Sequence, residues 1–227
     1  MSRSSPAAVA LICRDEGDPE HPYRPDDLTS GVSIGYGYDL GEHTATELER
    51  DWGGDLPAST IAALAPACGV RGQGAQLYLS EHNLAALEIP RDAALAEFSQ
   101  DSLPQYEQEL IECMPGSDQL PADVFGALTD LVYNRGPKMA DDQNDPDHER
   151  RFEMRQIRSC VANFAATSLN GVRAGALRAI VNQLHAMADR LWPVPSTNRW
   201  NTILHQRRLD EAAMIEALAV TLDPTSP

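Results

Sequence analysis

Glu16, Ser33 and Asp39 carry side chains that could divide an acid–base hydrolysis between them. Glu16 stands at the carboxyl end of a predicted helix, where the negative end of the helix dipole favours the protonated form of a carboxyl group. Partial burial would act in the same direction. A general acid needs this bias, because it must hold a proton near neutral pH in order to donate it to a leaving oxygen. The alternative is an ordinary surface glutamate in an acidic loop.

Ser33 and Asp39 belong to a segment, Gly31–Leu40, whose residues alternate like those of a β-strand. The two residues have the same parity, so their side chains face one side of an extended chain. A straight strand would still separate residues six apart by about 20 Å. We therefore expect the chain to turn back at Gly35-Tyr-Gly37, where glycine permits a tight turn. A plain hairpin with glycines in its turn, and no chemistry, is the alternative.

A glutamate at a helix end and a hydroxyl–carboxylate pair on a strand suit the hydrolysis of a glycosidic bond. One carboxyl group protonates the leaving oxygen, and the other holds a water molecule on the opposite face of the sugar. The two carboxyl groups of such inverting enzymes lie about 6.5–9.5 Å apart. We expect no metal and no other cofactor, because the six histidines lack metal-ligand spacing and the four cysteines form no CxxC pair. Free thiols are predicted for the cysteines, with one or two disulfides as the alternative.

The elements that must position these residues are predicted to be mainly helical, with one short β segment. Pro6 and Thr44 stand where helices commonly begin, and Asn134-Arg-Gly-Pro137 is typical of a helix end. Hydrophobic periodicity and these signals predict helices at 6–15, 44–52, 57–65, 80–87, 90–113 with a bend at Pro104, 121–135, 149–165, 172–191 and 200–222. Because no linker divides the chain, we expect one catalytic domain over residues 1–227, with a loose tail at 220–227.

The composition disfavours several classes of partner. The 227 residues include 34 acidic and 18 basic ones, for a net charge of −16, and Lys138 is the only lysine. This balance disfavours nucleic acid, whose binding depends on neutralising phosphates, and it disfavours anionic lipid. No apolar run approaches the ~18 residues that span a membrane, and the first residues lack the pattern of a signal peptide. We therefore expect a protein made in the cytoplasm without a signal peptide and without membrane insertion.

The segment Ser30–Gly41 carries the most specific motif of the chain, Ser-Gly-Val-Ser-Ile-Gly-Tyr-Gly-Tyr-Asp-Leu-Gly, downstream of a predicted helix that ends in Glu-Gly. This motif resembles the pesticin-like lysozyme domain of the phage-lysozyme-like muramidase superfamily, whose usual form is Ser-Gly-Val-Thr-Ile-Gly-x-Gly-x-Asp-Leu-Gly. Weaker similarities follow in the same order at 131–137, 151–158, 190–192 and 207–212. The resemblance therefore covers nearly the whole chain.

The resemblance implies a lysozyme-like fold, mainly α (α+β), with a small β-hairpin lobe, a larger helical lobe and a cleft between them. It also implies hydrolysis of the β-1,4 bond between N-acetylmuramic acid and N-acetylglucosamine. Glu16 would be the catalytic acid, and Asp39 with Ser33 would position the water. Ser33 departs from the family's threonine, since it keeps the hydroxyl but lacks the methyl group that restricts the rotamer.

Four further residues are candidate substrate-binding residues of such a cleft: Tyr36, Tyr38, Asn134 and Arg135. Aromatic faces pack on sugar rings, and Asn or Arg can hydrogen-bond to N-acetyl or carboxylate groups. The alternatives are that both tyrosines, which share the parity of apolar neighbours, are core residues, and that Asn134 only caps a helix end. Arg207 and Arg208 are predicted to form buried ion pairs, with Glu211 as one partner.

A muramidase without a signal peptide needs another route to the cell wall. It would act on peptidoglycan glycan strands in the periplasm or wall of a target or host bacterium. The strong acidity gives no electrostatic attraction to an anionic envelope. This favours an antibacterial effector of a secretion system, with a cognate immunity protein as partner, over a phage endolysin. The alternatives are a non-catalytic glycan-binding module on the same scaffold and a glycosidase of the chitinase or chitosanase type.

Overall fold

The computed structural model describes residues 2–16, 20–24, 29–141 and 149–223, and these are mainly helical, as predicted. Two short strands form the described sheet, β1 (Ser33–Ile34) and β2 (Tyr38–Asp39). The helices are α1 (Pro6–Asp15), α2 (Ala45–Trp52), α3 (Ala58–Leu64), α4 (Gly72–Glu81), α5 (Arg91–Glu97), α6 (Leu103–Cys113), α7 (Ala122–Arg135), α8 (Phe152–Ala165), α9 (Asn170–Leu191) and α10 (Arg199–Leu222).

The chain divides into two compact units. Residues Cys13–Gln105 form the first, which we call the hairpin unit because it contains β1 and β2. Residues Met1–Ile12 and Tyr106–Pro227 form the second, which we call the helical unit. That the whole chain is one catalytic domain stays a prediction.

Several helix boundaries lie where the sequence places them. Thr44 caps α2 in a capping box: its hydroxyl accepts from the Glu47 N–H at 3.3 Å, and the Glu47 carboxylate accepts from the Thr44 N–H at 2.7 Å. α7 begins after Pro121 and ends at Gly136, whose φ of 73° suits glycine. The helices predicted at 44–52 and 121–135 are therefore confirmed.

Two predicted helices differ from the observed ones. The helix predicted at 80–87 is wrong, because α4 ends at Glu81 and Asn83 adopts a left-handed conformation (φ 51°) that stops the helix. A short 3-10 turn follows at Leu84–Ala86. The long helix predicted at 90–113 is interrupted by a π turn at Phe98–Ser102, immediately before the α6 turn that contains Pro104. Proline is tolerated in the first turn of a helix, so the irregularity precedes it.

The structure also bears on the tail, the cysteines and a membrane span. The tail predicted at 220–227 is wrong for its first residues, because α10 continues through Leu222. Its last residues, Pro224–Pro227, lie outside the described part of the chain. All four cysteines are free thiols of intermediate exposure. None of the described helices is both long and apolar enough to cross a membrane.

The helical unit is built around α7, which packs against α10, and α9 packs against both α8 and α10. Every residue of α7 from Val124 to Val132 is buried. Among these, Asp130 pairs with Arg207 of α10, and nearby Arg208 donates to Glu211. The four charged side chains are at most 4% exposed, so the predicted buried ion pairs are confirmed.

The hairpin unit has its own core, in which Trp52 is fully buried. Leu48 of α2, Leu64 of α3 and Phe98 of the π turn are also fully buried. Gly35 leaves the space that this core needs, because a Cβ atom there would lie 2.6 Å from the Trp52 ring. The tight fit of this glycine against Trp52 explains why the hairpin turn carries no side chain at this position.

Candidate active site

The hairpin brings Ser33 and Asp39 side by side. β1 and β2 are antiparallel, with Ser33 opposite Asp39 and Ile34 opposite Tyr38. The chain reverses at residues 35–37, where Gly35 and Gly37 have φ values of 56° and 85°. Only glycine adopts such angles readily, so the predicted turn is confirmed at the predicted place. Two residues that are six apart in the sequence thus become direct neighbours.

Tyr23 extends this pair into a row of three side chains. Its N–H donates to the Ser33 carbonyl oxygen at 2.9 Å, and the Ser33 N–H donates to the Tyr23 carbonyl oxygen at 2.7 Å, which makes an isolated antiparallel bridge. Directly opposed residues of antiparallel chains place their side chains on the same face. Tyr23, Ser33 and Asp39 therefore line one face of the hairpin, in that order.

The backbone pattern also brings the Ser33 and Asp39 side chains close together. Since both backbone polar groups of Ser33 bond to Tyr23, Ser33 and Asp39 form the non-hydrogen-bonded type of antiparallel pair. In that type the side chains come closer than in the hydrogen-bonded type. Ser33 is only 3% exposed, whereas Asp39 is of intermediate exposure. Within this pair, Asp39 is thus the more accessible to water.

Two glycines of the motif hold the Asp39 carboxylate. Oδ1 accepts from the Gly41 N–H at 2.8 Å and from the Gly31 N–H at 3.0 Å, and Oδ2 lies 3.1 Å from the same Gly31 nitrogen. A Cβ atom on Gly31 would lie 2.3 Å from Oδ1, and one on Gly41 would lie 3.0 Å from it. Asp39 also caps the 3-10 turn at Leu40–Glu42. The carboxylate is therefore fixed in orientation by backbone donors.

Glu16 follows the last residue of α1, and its charge acts on the same group of residues. The pKa of Tyr23 is raised to about 12, first by burial, then by the negative charge of Glu16 and more weakly by that of Asp39. A hydrogen bond with the Ser33 side chain opposes this rise. The Tyr23 phenol is therefore protonated at neutral pH and lies within electrostatic reach of both carboxylates. Tyr23 is thus bonded to Ser33 and is influenced by the charges of Glu16 and Asp39.

Sequence reasoning missed Tyr23. It stands seven residues after Glu16 and ten before Ser33, in a loop segment with no alternation of its own. A lone tyrosine between two proline-containing stretches carries no signal that it will pair with a strand. Its participation depends on the tertiary bridge to Ser33.

Tyr36 and Tyr38, predicted as substrate-binding residues, are buried at 5% and 4% exposure. The Tyr36 ring meets the Phe98 ring edge-on at 5.8 Å. The Tyr38 ring stacks on His43 at 3.9 Å, and its hydroxyl donates to Asp51 at 2.9 Å. Both rings pack inside the hairpin unit, which supports the alternative that they are core residues.

Asn134 and Arg135, the other two predicted substrate-binding residues, belong to the last turn of α7 in the helical unit. The Asn134 side-chain oxygen accepts from Arg208 at 3.1 Å. Arg135 donates from Nη2 to the Arg150 carbonyl oxygen at 2.6 Å. The helix-cap alternative for Asn134 is wrong, because Gly136 occupies the capping position. Substrate binding by these two residues stays a prediction.

Glu97 is a second acidic group of the hairpin unit that the sequence did not single out. It precedes the π turn, is 1% exposed, and its Oε1 accepts from the Ser102 hydroxyl at 2.6 Å. Burial raises its pKa to about 7, with smaller contributions from the charges of Asp101 and Asp51. Such a value suits an acid–base group, but the buried carboxyl offers a substrate no access.

Within the described ranges, no group of three or more His, Cys, Asp or Glu side chains is arranged to hold a metal ion. The groups at the hairpin that could react are the Asp39 carboxylate and the hydroxyls of Ser33 and Tyr23, and the charge of Glu16 acts on Tyr23. This set can donate a proton and orient a water molecule.

One family profile matches the chain. It is described as Domain of unknown function (DUF8812), and it matches residues 20–121, which is less than half of the chain. The match includes Tyr23, Ser33 and Asp39 but begins after Glu16. No curated protein and no solved structure matches the chain significantly.

Proposed function

We propose that the chain is a peptidoglycan muramidase that cleaves the β-1,4 bond between N-acetylmuramic acid and N-acetylglucosamine. The observation that carries the proposal is the row of Tyr23, Ser33 and Asp39 on one face of the hairpin, with the charge of Glu16 acting on Tyr23. The resemblance of Ser30–Gly41 to lysozyme domains of the pesticin type supplies the substrate class. A lysozyme-like arrangement of two lobes with a cleft between them is part of the same proposal.

In the proposed mechanism, Glu16 donates its proton to the glycosidic oxygen of the leaving sugar. Asp39 accepts a hydrogen bond from the attacking water and draws off a proton as the water adds to the sugar carbon. The Asp39 carboxylate suits this step because Gly31 and Gly41 fix its orientation while it remains partly exposed. The Ser33 hydroxyl is the second group on that face that can hold the water.

Tyr23 is the positioning residue of this arrangement. Because its phenol stays protonated, it can donate a hydrogen bond without adding a negative charge between two carboxylates. Its hydrogen bond with Ser33 restricts the serine hydroxyl. This supports Ser33 in place of the threonine of the resembling family, since a hydrogen bond can restrain the rotamer that a methyl group would otherwise restrict.

The proposal includes the biological setting. The enzyme acts on peptidoglycan strands in the periplasm or cell wall, as an antibacterial effector with a cognate immunity protein or as a phage endolysin. The net negative charge of the chain favours the effector over the endolysin, because it gives no electrostatic attraction to an anionic envelope. A gene position between holin and spanin genes would contradict the effector assignment, and an adjacent gene for a small secreted protein would support it.

A non-catalytic glycan-binding module is the second candidate, and one observation favours it. Asp39 already has a structural role, because its carboxylate caps the 3-10 turn at Leu40–Glu42. If Asp39 served only to cap this turn, it would not have to bind an attacking water molecule. The digestion experiment below separates the two candidates.

The test is digestion of purified peptidoglycan by the wild type, Glu16→Gln and Glu81→Gln, with product analysis by mass spectrometry. Glu81, an exposed residue of the hairpin unit at the end of α4, is the matched control. We expect products with a reducing muramic acid end from the wild type and the control, and a loss of about 100-fold or more for Glu16→Gln.

Three outcomes would contradict the proposal. Equal, background-level release by wild type and Glu16→Gln would favour glycan binding alone. A 1,6-anhydro end would indicate a lytic transglycosylase, in which Asp39 would not need to hold an attacking water. Cleavage of chito-oligomers without cleavage of muropeptides would move the substrate to chitin or chitosan.

A further inference from the structure

The helical unit contains a cavity of about 400 Å³ beside the end of α7. We call it the basic pocket; its nine lining residues include Asn134, Trp192, the acid Asp141 and four cations, Arg135, Lys138, Arg150 and Arg151. Four positive charges thus face one negative charge, in a chain whose net charge is −16. The pocket is therefore a locally positive region of a chain that is strongly negative overall.

Arg135 is the most buried of these cations. Its Nη2 donates to the backbone oxygen of Arg150, a neutral acceptor, and its Nε has no hydrogen-bond partner among the described residues. Burial lowers the pKa of Arg135 to about 9, and the positive charges of Arg151, Arg208 and Arg150 add to this effect. A partly buried guanidinium beside like charges is an unfavourable arrangement that an anion would relieve.

Two carboxylates near Arg135 already accept hydrogen bonds from other groups: Asp141, which lines the pocket, and Glu153. Asp141 accepts from Arg155 at 2.7 Å and from the Arg151 N–H at 2.7 Å. Glu153 accepts from Arg190 at 2.6 and 2.7 Å. Both carboxylates are thus satisfied by donors other than the Arg135 guanidinium, and the charge of Glu153 only weakly offsets the positive charges around Arg135.

The neighbouring helices also hold the pocket in shape. Trp192 lies near two guanidinium groups, with its ring 5.1 Å from Cζ of Arg135 and 5.7 Å from Cζ of Arg208. Arg208 donates to the side-chain oxygen of Asn134, which leaves the amide N–H groups of Asn134 as donors. The arrangement thus combines fixed donors with positive charge.

We infer that the basic pocket binds a small oxyanion with two or more negative charges. The forked donors of guanidinium groups match the oxygens of both phosphate and carboxylate, and the charge of the pocket demands more than one negative charge. Inorganic phosphate and an acidic peptide with two carboxylates are the two sources of this chemistry. The inference stands without the proposed function, since binding needs no cleavage.

The test is calorimetric titration of the full chain with inorganic phosphate and, separately, with the dipeptide N-acetyl-alanyl-glutamate, whose two carboxylates face no compensating amine, at constant ionic strength. The chain carries Glu16→Gln, so that binding is measured in a background without the proposed acid. We expect saturable binding of at least one probe, and a rise in melting temperature with its concentration.

Variants locate the binding. Arg135→Gln and Lys138→Gln each remove one positive charge from the pocket, and Arg158→Gln removes one from an exposed position on α8. We expect affinity to fall about tenfold or more for Arg135→Gln, less for Lys138→Gln, and hardly at all for Arg158→Gln. Lys138 is exposed, so its variant tests the site even where Arg135→Gln fails to fold.

Tighter binding of phosphate assigns the pocket to phosphate, and tighter binding of the dipeptide assigns it to peptide carboxylates. The absence of saturable binding by both probes would overturn the inference. Equal weakening by Lys138→Gln and Arg158→Gln would also overturn it, because that result describes a general charge effect.

Discussion

The hairpin face and the basic pocket position their charged side chains in different ways, the first with backbone groups and the second with other side chains. At the hairpin, backbone N–H groups of Gly31 and Gly41 hold the Asp39 carboxylate. At the basic pocket, other side chains hold the guanidinium groups: Trp192 packs near Arg135 and near Arg208, which lies outside the lining, and Glu211 pairs with Arg208. The first arrangement depends on local backbone geometry, whereas the contacts of Trp192 with Arg135 and Arg208 join elements that are distant in sequence.

At the hairpin, the charge of Asp39 can therefore be removed without loss of the local structure. Near the pocket, the charge of Arg208 is itself needed for the structure. Because backbone groups hold Asp39, a side chain that retains one acceptor oxygen can replace it without loss of the turn. Arg208 offers no such freedom, since its charge balances a fully buried Glu211. Substitutions at the hairpin should therefore change chemistry, and substitutions beneath the pocket should change stability.

The largest effect is expected from Asp39→Asn. The asparagine oxygen can still accept from both glycine N–H groups, as Oδ1 of Asp39 does, but the amide cannot draw a proton from water. We expect peptidoglycan hydrolysis to fall about 1,000-fold while thermal unfolding stays nearly unchanged. Activity within tenfold of the wild type would show that Asp39 serves only the turn.

The second prediction concerns Arg208→Met, which removes the positive partner of buried Glu211. An unpaired buried carboxylate is strongly destabilising, so the free energy of unfolding should fall by about 3–5 kcal/mol in a denaturant titration. Arg158→Met, at an exposed position of the same unit, is the control. A double variant Arg208→Met/Glu211→Gln should recover part of the loss. An equal loss for the control would remove the contrast with the hairpin.

The third prediction concerns the pH dependence of stability and rests on Glu97, a carboxyl group that is buried in the hairpin unit. Its pKa is raised from 4.5 to about 7, so the folded state keeps a proton that the unfolded chain releases above pH 4.5. The contribution of Glu97 to stability is therefore fully present below pH 4.5 and is lost as the pH rises to about 7, a difference of about 3 kcal/mol. Unfolding of Glu97→Gln, measured across this range, should show a flatter dependence, and an unchanged slope would contradict the prediction.

The smallest effect is expected from Tyr23→Phe. The variant keeps both backbone hydrogen bonds to Ser33 and loses only the phenol, so hydrolysis should fall about tenfold with little change in stability. Tyr78→Phe, on α4 of the same unit, is the control. Equal effects of both substitutions would exclude Tyr23 as a positioning residue.

The same contrast explains what the sequence could predict. The hairpin was predictable, because Gly35 and Gly37 mark a turn and place Ser33 opposite Asp39 within ten residues. The Thr44 cap and the Gly136 stop were predictable for the same reason, since each signal is local. Asn83 shows the limit: nothing local distinguished a left-handed asparagine from a helical one.

The bridge of Tyr23 and the basic pocket were not predictable. The bridge pairs a loop residue with a strand ten positions away, and tertiary packing selects that partner. The pocket combines Arg135 of α7, Arg151 before α8 and Trp192 after α9, whose spacing in the sequence carries no periodicity. Asn134 and Arg135 were singled out by resemblance, and only the structure shows the cations around them.

Lys138 gives the basic pocket a practical consequence. It is the only lysine of the chain, it lines the pocket, and it is exposed. An amine-reactive fluorophore can therefore attach at this side chain and, apart from it, only at the amino terminus. Emission from the fluorophore would report on the surroundings of Arg135 and Trp192 without the introduction of a cysteine. The chain thus carries its own attachment point for an optical probe.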